Sequence, residues 1–244
     1  MYNNNLFLNF VYKIIFLVLD FVFFKKNKMQ WVIAISEGER FDGNAKALYE
    51  YYLRNKKNVN LKIIATNKHA KHIEKSDFVK WGSWEHFSVL LNSGVILYHH
   101  NAFDTGLLCL PFFRLNYRIS HGIHYKKVER AERVPKSLYE KLISTKNIIP
   151  YHAVSSKQDG LSAVAYFHIF LDNVDVTGAA KNDILIREKL YDNYLDQEQR
   201  LKTLLNGKKL ITYAPTWRSR GEAYKFDNKQ VSEIEKFCIW LCWT

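Results

Sequence analysis

The chain has 244 residues, 15% of them aromatic and 25% charged, with a formal net charge of +12. That length is ample for a buried core and for one large domain or somewhat more. Three cysteines, Cys109, Cys238 and Cys242, exclude a disulfide framework and a cysteine-based zinc cluster and fit a reducing compartment, while the basic balance points to nucleic acid, acidic lipid head groups or a phosphorylated substrate.

Residues 6–24 are apolar over nearly the length of a membrane span, interrupted by Asn9, Lys13 and Asp20. At about 100° per residue these three fall within about 40° of one another, so a helix here is an apolar rod with one narrow polar stripe. Such a helix suits a membrane interface, or a groove on the protein, better than a lipid-exposed span. It lacks the small-residue cleavage site of a secretory signal. Lys25, Lys26 and Lys28 follow, which would hold residues 1–28 on the anionic cytoplasmic face of the membrane as a peripheral attachment.

Residues 30–36 form an apolar, β-branched run of strand length. A polar turn over 37–43 contains Gly38 and Gly43, and Asn44 is placed to cap a helix through Ala45, Leu48, Tyr49, Tyr52 and Leu53. A second strand is expected over 61–65, a helix over 83–91 with Trp84, Phe87, Leu90 and Leu91 on one face, and a further strand over 95–98. Alternation of β and α at short intervals predicts a parallel sheet with helices on both faces. Ligands then bind beyond the carboxyl ends of the strands.

The apolar run 117–119 ends on Ser120, His121 and Gly122, with His124, Lys126 and Lys127 close behind. A strand that ends this way delivers to the mouth of the sheet a side chain whose ordinary pKa lies near neutrality, able to take a proton from a hydroxyl and return it. Gly122 permits a sharp turn and close approach of a substrate. A surface histidine ahead of a basic helix is the plainer alternative. Residues 125–136 carry Lys126, Lys127, Arg130, Arg133 and Lys136 against Glu129 and Glu132, either as a solvated helix face or as an approach for a polyphosphate chain. A strand over 148–154 ends in the hydroxyls of Ser155 and Ser156; another, over 173–177, is closed by Gly178, and Asn182-Asp183 can cap the helix that follows. Residues 183–205 are mostly helical and polar, 208–214 restart a strand that leads into Thr216, Trp217 and Arg218, and a helix begins at Asp227. The apolar residues 239–244 end the sequence abruptly. There is no internal repeat or low-complexity tract.

Four of these segments resemble, in order and spacing from about residue 31 to 220, blocks of the bacterial CDP-glycerol glycerophosphotransferase family, which primes and polymerises teichoic acids. Phe41-Asp42-Gly43-Asn44-Ala45-Lys46-Ala47-Leu48-Tyr49 resembles its Gly-Asn-x-Lys-x-Leu-Tyr block. Ser120-His121-Gly122, with Lys126-Lys127, resembles its His-Gly motif. Thr177-Gly178-Ala179-Ala180-Lys181-Asn182-Asp183 resembles Thr-Gly-x-Pro-Arg-Asn-Asp, and Tyr213-Ala214-Pro215-Thr216-Trp217-Arg218 resembles Tyr-Ala-Pro-Thr-Trp-Arg.

The resemblance implies a GT-B-like α/β architecture. The membrane-associating helix and basic flank occupy 1–28, a Rossmann-like acceptor-side domain with a parallel sheet 29–182, a helical connector 183–207, and the beginning of a nucleotide-binding domain 208–244. It implies transfer of glycerol phosphate from CDP-glycerol to a hydroxyl of a lipid-linked teichoic-acid or related cell-surface acceptor, with release of CMP and His121 as general base. Arg218 would hold the pyrophosphate, with Thr216 donating beside it. Together with the strand-end hydroxyls Ser155 and Ser156, the matched positions Asn44, Lys46, Ser120, Gly122, Lys126, Lys127, Asn182, Asp183, Thr216 and Arg218 make the expected substrate-binding set. CDP-glycerol is the donor substrate, no separate cofactor is implied, and a divalent cation stays open.

Ala180 and Lys181 stand where the family has Pro-Arg, which removes a bidentate grip there, and Ile123-His124 follow Gly122 where Pro and Leu are more usual. The sequence stops before the second family histidine and a Ser-Ser-rich nucleotide-binding block, so a C-terminally truncated member is expected. Four other readings compete. The close pairs His69/His72, His99/His100 and His121/His124 lack a carboxylate or cysteine at companion spacing, which argues against a metal site. No nucleic-acid recognition pattern accompanies the charge. A transferase of another activated polyol or sugar nucleotide would share the fold, and an inactive member would bind membrane or anionic acceptor through its basic face.

Overall fold

The structure, a computed structural model, describes residues 6–22, 27–35, 38–39, 41–55, 58–100, 102–106, 114–120, 150–183, 192–213, 227–235 and 238–242. His121, Gly122, Lys126, Lys127, Thr216, Arg218 and the basic stretch 125–136 lie outside the described residues. The chain divides into two compact units, Met1–Asp183 and Ile184–Thr244.

In the first unit, β-branched and apolar runs form seven strands: β1 (Asn27–Ala34), β2 (Asn60–Ala65), β3 (Phe78–Lys80), β4 (Ser93–Tyr98), β5 (Leu115–Arg118), β6 (Tyr151–Val154) and β7 (Val174–Val176). They lie in the order β3-β2-β1-β4-β5-β6-β7, every neighbouring pair parallel. Ile33 is in register with Ile63 on one side and with Leu97 on the other. The α/β class with a parallel sheet is therefore the one expected from the alternating pattern.

Period-two alternation builds two cores. Val32, Ala34, Ile64, Val79, Ile96 and Tyr98 pack on one face beneath α1 (Leu6–Val22) and α3 (Trp84–Asn92), which contribute Phe16, Val89 and Leu90. Ile33, Ile35, Leu61, Ile63, Ala65, Val95 and Leu97 pack on the other, beneath Ala45 and Tyr49 of α2 (Gly43–Asn55). Neighbouring residues of β1 thus serve opposite faces, and full burial of each such side chain is worth about 1.5–3 kcal/mol. A smaller cluster joins Val154 to Ala163 of α4 (Lys157–Phe167) and Ile169.

The apolar N-terminal segment is a helix, α1, docked on this core. Phe16 is buried, and Asp20 is buried in an ion pair with Arg114, just ahead of β5. Asp20 therefore turns inward because a buried guanidinium awaits it. Among the described residues, no helix is long and apolar enough to cross a membrane.

In the second unit, α5 (Asp192–Leu205) precedes β8 (Lys209–Tyr213), α6 (Asn228–Glu235) and β9 (Cys238–Cys242). Asp227 and Gln230 cap α6 reciprocally: Asp227 Oδ1 accepts from the Gln230 amide at 2.8 Å and Gln230 Oε1 from the Asp227 amide at 3.0 Å. The apolar ending that looked like a chance terminus is a strand. β9 pairs in parallel with β8 from Lys209↔Cys238 to Tyr213↔Cys242, and β-branched and aromatic residues such as Ile239 and Trp240 are those that strands favour.

Candidate functional site

The strand order reverses direction between β1 and β4, and in open parallel sheets ligands bind beside such a switch point, at the carboxyl ends of the strands. After β1 the chain turns at Gly38, where φ is +77° and a Cβ would come within 3.0 Å of the Thr66 amide nitrogen. The Gly38 carbonyl accepts from both the Thr66 amide, at 2.9 Å, and its hydroxyl, at 3.0 Å. That ties the β1 loop to the end of β2 and leads the chain to Gly43, the first residue of α2.

Asn44 follows, and its side chain does not cap α2 as its position suggested. The carboxamide is buried and faces across the sheet edge. Nδ2 donates to the carbonyls of Ile119, at 2.9 Å, and Ser120, at 2.7 Å; Oδ1 accepts from the Lys181 amide at 3.0 Å. Its orientation is unambiguous, since two carbonyls can only accept and an amide can only donate. Helix α2 starts at Gly43 instead, and the Lys46 amide bonds to the Asp42 carbonyl at 3.3 Å. One buried side chain thus joins three of the four motif segments: 41–49, 120–122 and 177–183.

Ser120 is buried and has φ of +45°, in the left-handed region that non-glycine residues seldom adopt. Beside it, the last residue of β5, Arg118, lays its guanidinium 4.1 Å over the Phe167 ring and reaches the His99 carbonyl in a long 3.4 Å hydrogen bond. His99, first after β4, is buried, and its Nε2 has no hydrogen-bond partner among the described residues. Burial foremost, then the charges of His100 and Lys181, push this imidazole below the ordinary histidine pKa, while Asp104 and Asp42 pull the other way. Sequence spacing had brought forward His99 and His100 only as a metal pair, and Arg118 not at all; a basic residue closing a strand that leads into a His-Gly turn was the available signal.

The remaining expected residues divide by what their side chains touch. Lys46 pairs with Glu50 one turn along α2 at 3.8 Å. Ser156 is the N-cap of α4, its hydroxyl accepting from the Asp159 amide at 3.1 Å, while the Asp159 carboxylate accepts from the Ser155 amide at 2.9 Å. The Thr177 and Gly178 amides both reach the Val154 carbonyl, at 3.2 and 3.1 Å, folding the 177–183 segment over the end of β6. Asn182 and Asp183 are exposed there. Asn44, Ser120 and the 177–183 segment are brought together, Lys46 lies two residues further along α2, about 200° round the helix from Asn44, and Ser155 and Ser156 sit at the end of β6.

A doubly wound parallel sheet, with its polar groups gathered where the strand order reverses, defines a Rossmann-like protein of the α/β class. The family model for CDP-Glycerol:Poly(glycerophosphate) glycerophosphotransferase matches residues 15–239, and the chain belongs to that family. Its fold is that of the wall teichoic acid polymerase TagF, with a TM-score of 0.65 and 17% identity over 99% of this chain and 66% of that one. A TagF variant soaked with CDPG matches at a TM-score of 0.67 and 18% identity, over 99% of this chain and 65% of the other. The chain therefore spans slightly less than two thirds of the length of these polymerases. No curated protein matches it by sequence.

Proposed function

We propose that the chain takes part in transfer of glycerol phosphate from CDP-glycerol to a hydroxyl of a lipid-linked teichoic-acid or related cell-surface acceptor, at the cytoplasmic face of the membrane. His121 takes the proton of the acceptor hydroxyl as its oxygen attacks the phosphorus that bears glycerol. A new P–O bond forms, the bridging P–O bond breaks, and CMP leaves with the electron pair. Lys126 and Lys127, with Thr216 and Arg218, are assigned to the phosphate oxygens, whose charge a transfer of this kind has to hold.

The observation that carries the reading is the convergence on Asn44 of three sequence blocks that the family shares, within a chain matched by the family model over residues 15–239. Net charge of +12 supports an anionic acceptor and an anionic membrane surface as partners. The test is CMP release from CDP-glycerol by the purified chain with a lipid-linked glycerol-phosphate acceptor. Release should depend on acceptor and fall by about 10²–10⁴ in His121→Ala. In the wild type, kcat/KM should decline as pH drops through the His121 pKa. A folded chain that releases no CMP would reduce the reading to acceptor or membrane binding.

A further inference from the structure

We infer that Asn44 is a positioning residue, acting on the transferase site through Ser120 and Lys181 and not by touching substrate; the inference rests on the function proposed above. In an extended strand successive carbonyls point to opposite sides. Here the carbonyls of Ile119 and Ser120 both reach a single amide nitrogen, at 2.9 and 2.7 Å. That convergence requires the chain to leave the extended conformation at Ser120, where φ is +45°. Each hydrogen of the Asn44 NH2 group holds one carbonyl, so the clamp and the left-handed turn sustain each other. Left-handed backbone at a serine is unfavourable and persists only where its surroundings hold it.

What the clamp controls is the direction in which the chain leaves β5, and His121 is the next residue in sequence. The same carboxamide accepts from the Lys181 amide at 3.0 Å, so the turn Ala180–Asn182 is fastened to the same point. With both Nδ2 hydrogens on carbonyls and Oδ1 on an amide, Asn44 is 4% exposed. Asparagine suits this place because it alone among short side chains offers two donors and an acceptor in one plane. Aspartate would present an oxygen to two carbonyl oxygens.

The experiment compares wild type, Asn44→Ala, Asn44→Ser, Ser120→Gly and the Asn44→Ala/Ser120→Gly double variant in CMP release, with KM for CDP-glycerol and kcat measured separately. In parallel, the His121 ring is titrated by NMR, its resonance identified from His121→Ala. Asn44→Ala should lower kcat about 10–100-fold with donor KM within twofold of wild type, as misplacement of a catalytic group does. Ser120→Gly in that background should recover several-fold, because glycine holds a left-handed backbone without a clamp. Urea midpoints are read beside the rates: a role confined to stability would lower the midpoint and leave kcat of the folded chain at the wild-type value. A raised KM at unchanged kcat, or a double variant no better than Asn44→Ala, overturns the inference. Should Asn44→Ala fail to fold, Asn44→Ser, which sets no carboxylate against the two carbonyls, takes its place, alone and with Ser120→Gly. If wild type releases no CMP, the transferase reading falls and the titration decides alone. A His121 resonance displaced in Asn44→Ala and restored in the double variant upholds the clamp, and one unmoved by loss of Asn44 refutes it.

Discussion

His86 illustrates how a single buried ring ties stability to pH. Its Nδ1 accepts from the Gly82 amide at 3.0 Å and its Nε2 donates to the Thr105 carbonyl at 2.8 Å, an arrangement only the neutral ring can make. Burial lowers its pKa, and the bond to Thr105 opposes that only in part. His99 is lowered by burial as well. A folded pKa below the unfolded value means that the unfolded chain binds the proton first. Stability is then intact above the unfolded value of about 6.5 and is lost as pH falls toward the folded pKa, at up to about 1.4 kcal/mol per pH unit for each ring. Urea unfolding at pH 7.5 and 5.5 should therefore give a lower midpoint at the acid end, and His86→Gln should flatten the dependence; an equal slope in the variant would refute the account. Nothing in the sequence separates His86, on a helix face, from an exposed histidine. Asn44 was legible as a residue of interest, but its partners at 119, 120 and 181 are distant in sequence, and a helix cap was the local explanation available.

Helix α1 was expected at a membrane interface or in a groove on the protein, and a buried charge pair holds it on the protein. Asp20 and Arg114 are both withdrawn from solvent, and desolvation brings the Arg114 pKa down to about 9. At neutral pH the guanidinium is still charged, so removing its partner leaves an isolated buried cation. Asp20→Ala should cost about 3–5 kcal/mol, whereas Asp20→Leu combined with Arg114→Met should recover most of that loss. Phe16→Ala, which empties a place in the core beneath α1, should cost about 3–5 kcal/mol by the separate route of a cavity. Denaturant unfolding of the three variants distinguishes them, and additive losses in Asp20→Leu and Arg114→Met would contradict the pairing. The strands β1, β2 and β4 were readable because each carries a run of β-branched residues long enough to show itself. β3 has three residues, too few to display a period, and β9 looked like a loose end because its partner lies some thirty residues earlier, in register from Lys209↔Cys238 onward.

Taken whole, the first unit presents an apolar outer surface that its own core does not use. Phe21 and Val22 of α1 are 65% and 64% exposed, Val18 56%, and Trp84, at the start of α3, 89%. α1 and α3 enclose an apolar groove lined by Ile15, Phe16, Leu19, Trp84, Phe87 and Leu91. Lys28 stands at the start of β1, where Asn27 pairs with Ser93, the residue that follows α3. Insertion of a few side chains into the interface is marginal by itself, and attraction of a basic protein to acidic head groups adds about 1 kcal/mol per lysine or arginine near the surface. The proposed membrane contact therefore needs both contributions. Vesicles rich in phosphatidylglycerol should sediment the chain at about 0.1 M salt, with much less bound to phosphatidylcholine vesicles or at about 0.5 M salt, where the Debye length is shorter. Removing the burial of one large side chain, worth about 1.5–3 kcal/mol, should weaken partitioning roughly 10–100-fold in Trp84→Ser or Phe21→Ser. Trp84 is 89% exposed and is no part of the Asp20–Arg114 pair, so Trp84→Ser should keep the wild-type unfolding midpoint. Undiminished binding by both would mean that charge alone brings the chain to the membrane, and the exposed face of α1 would then need a different partner.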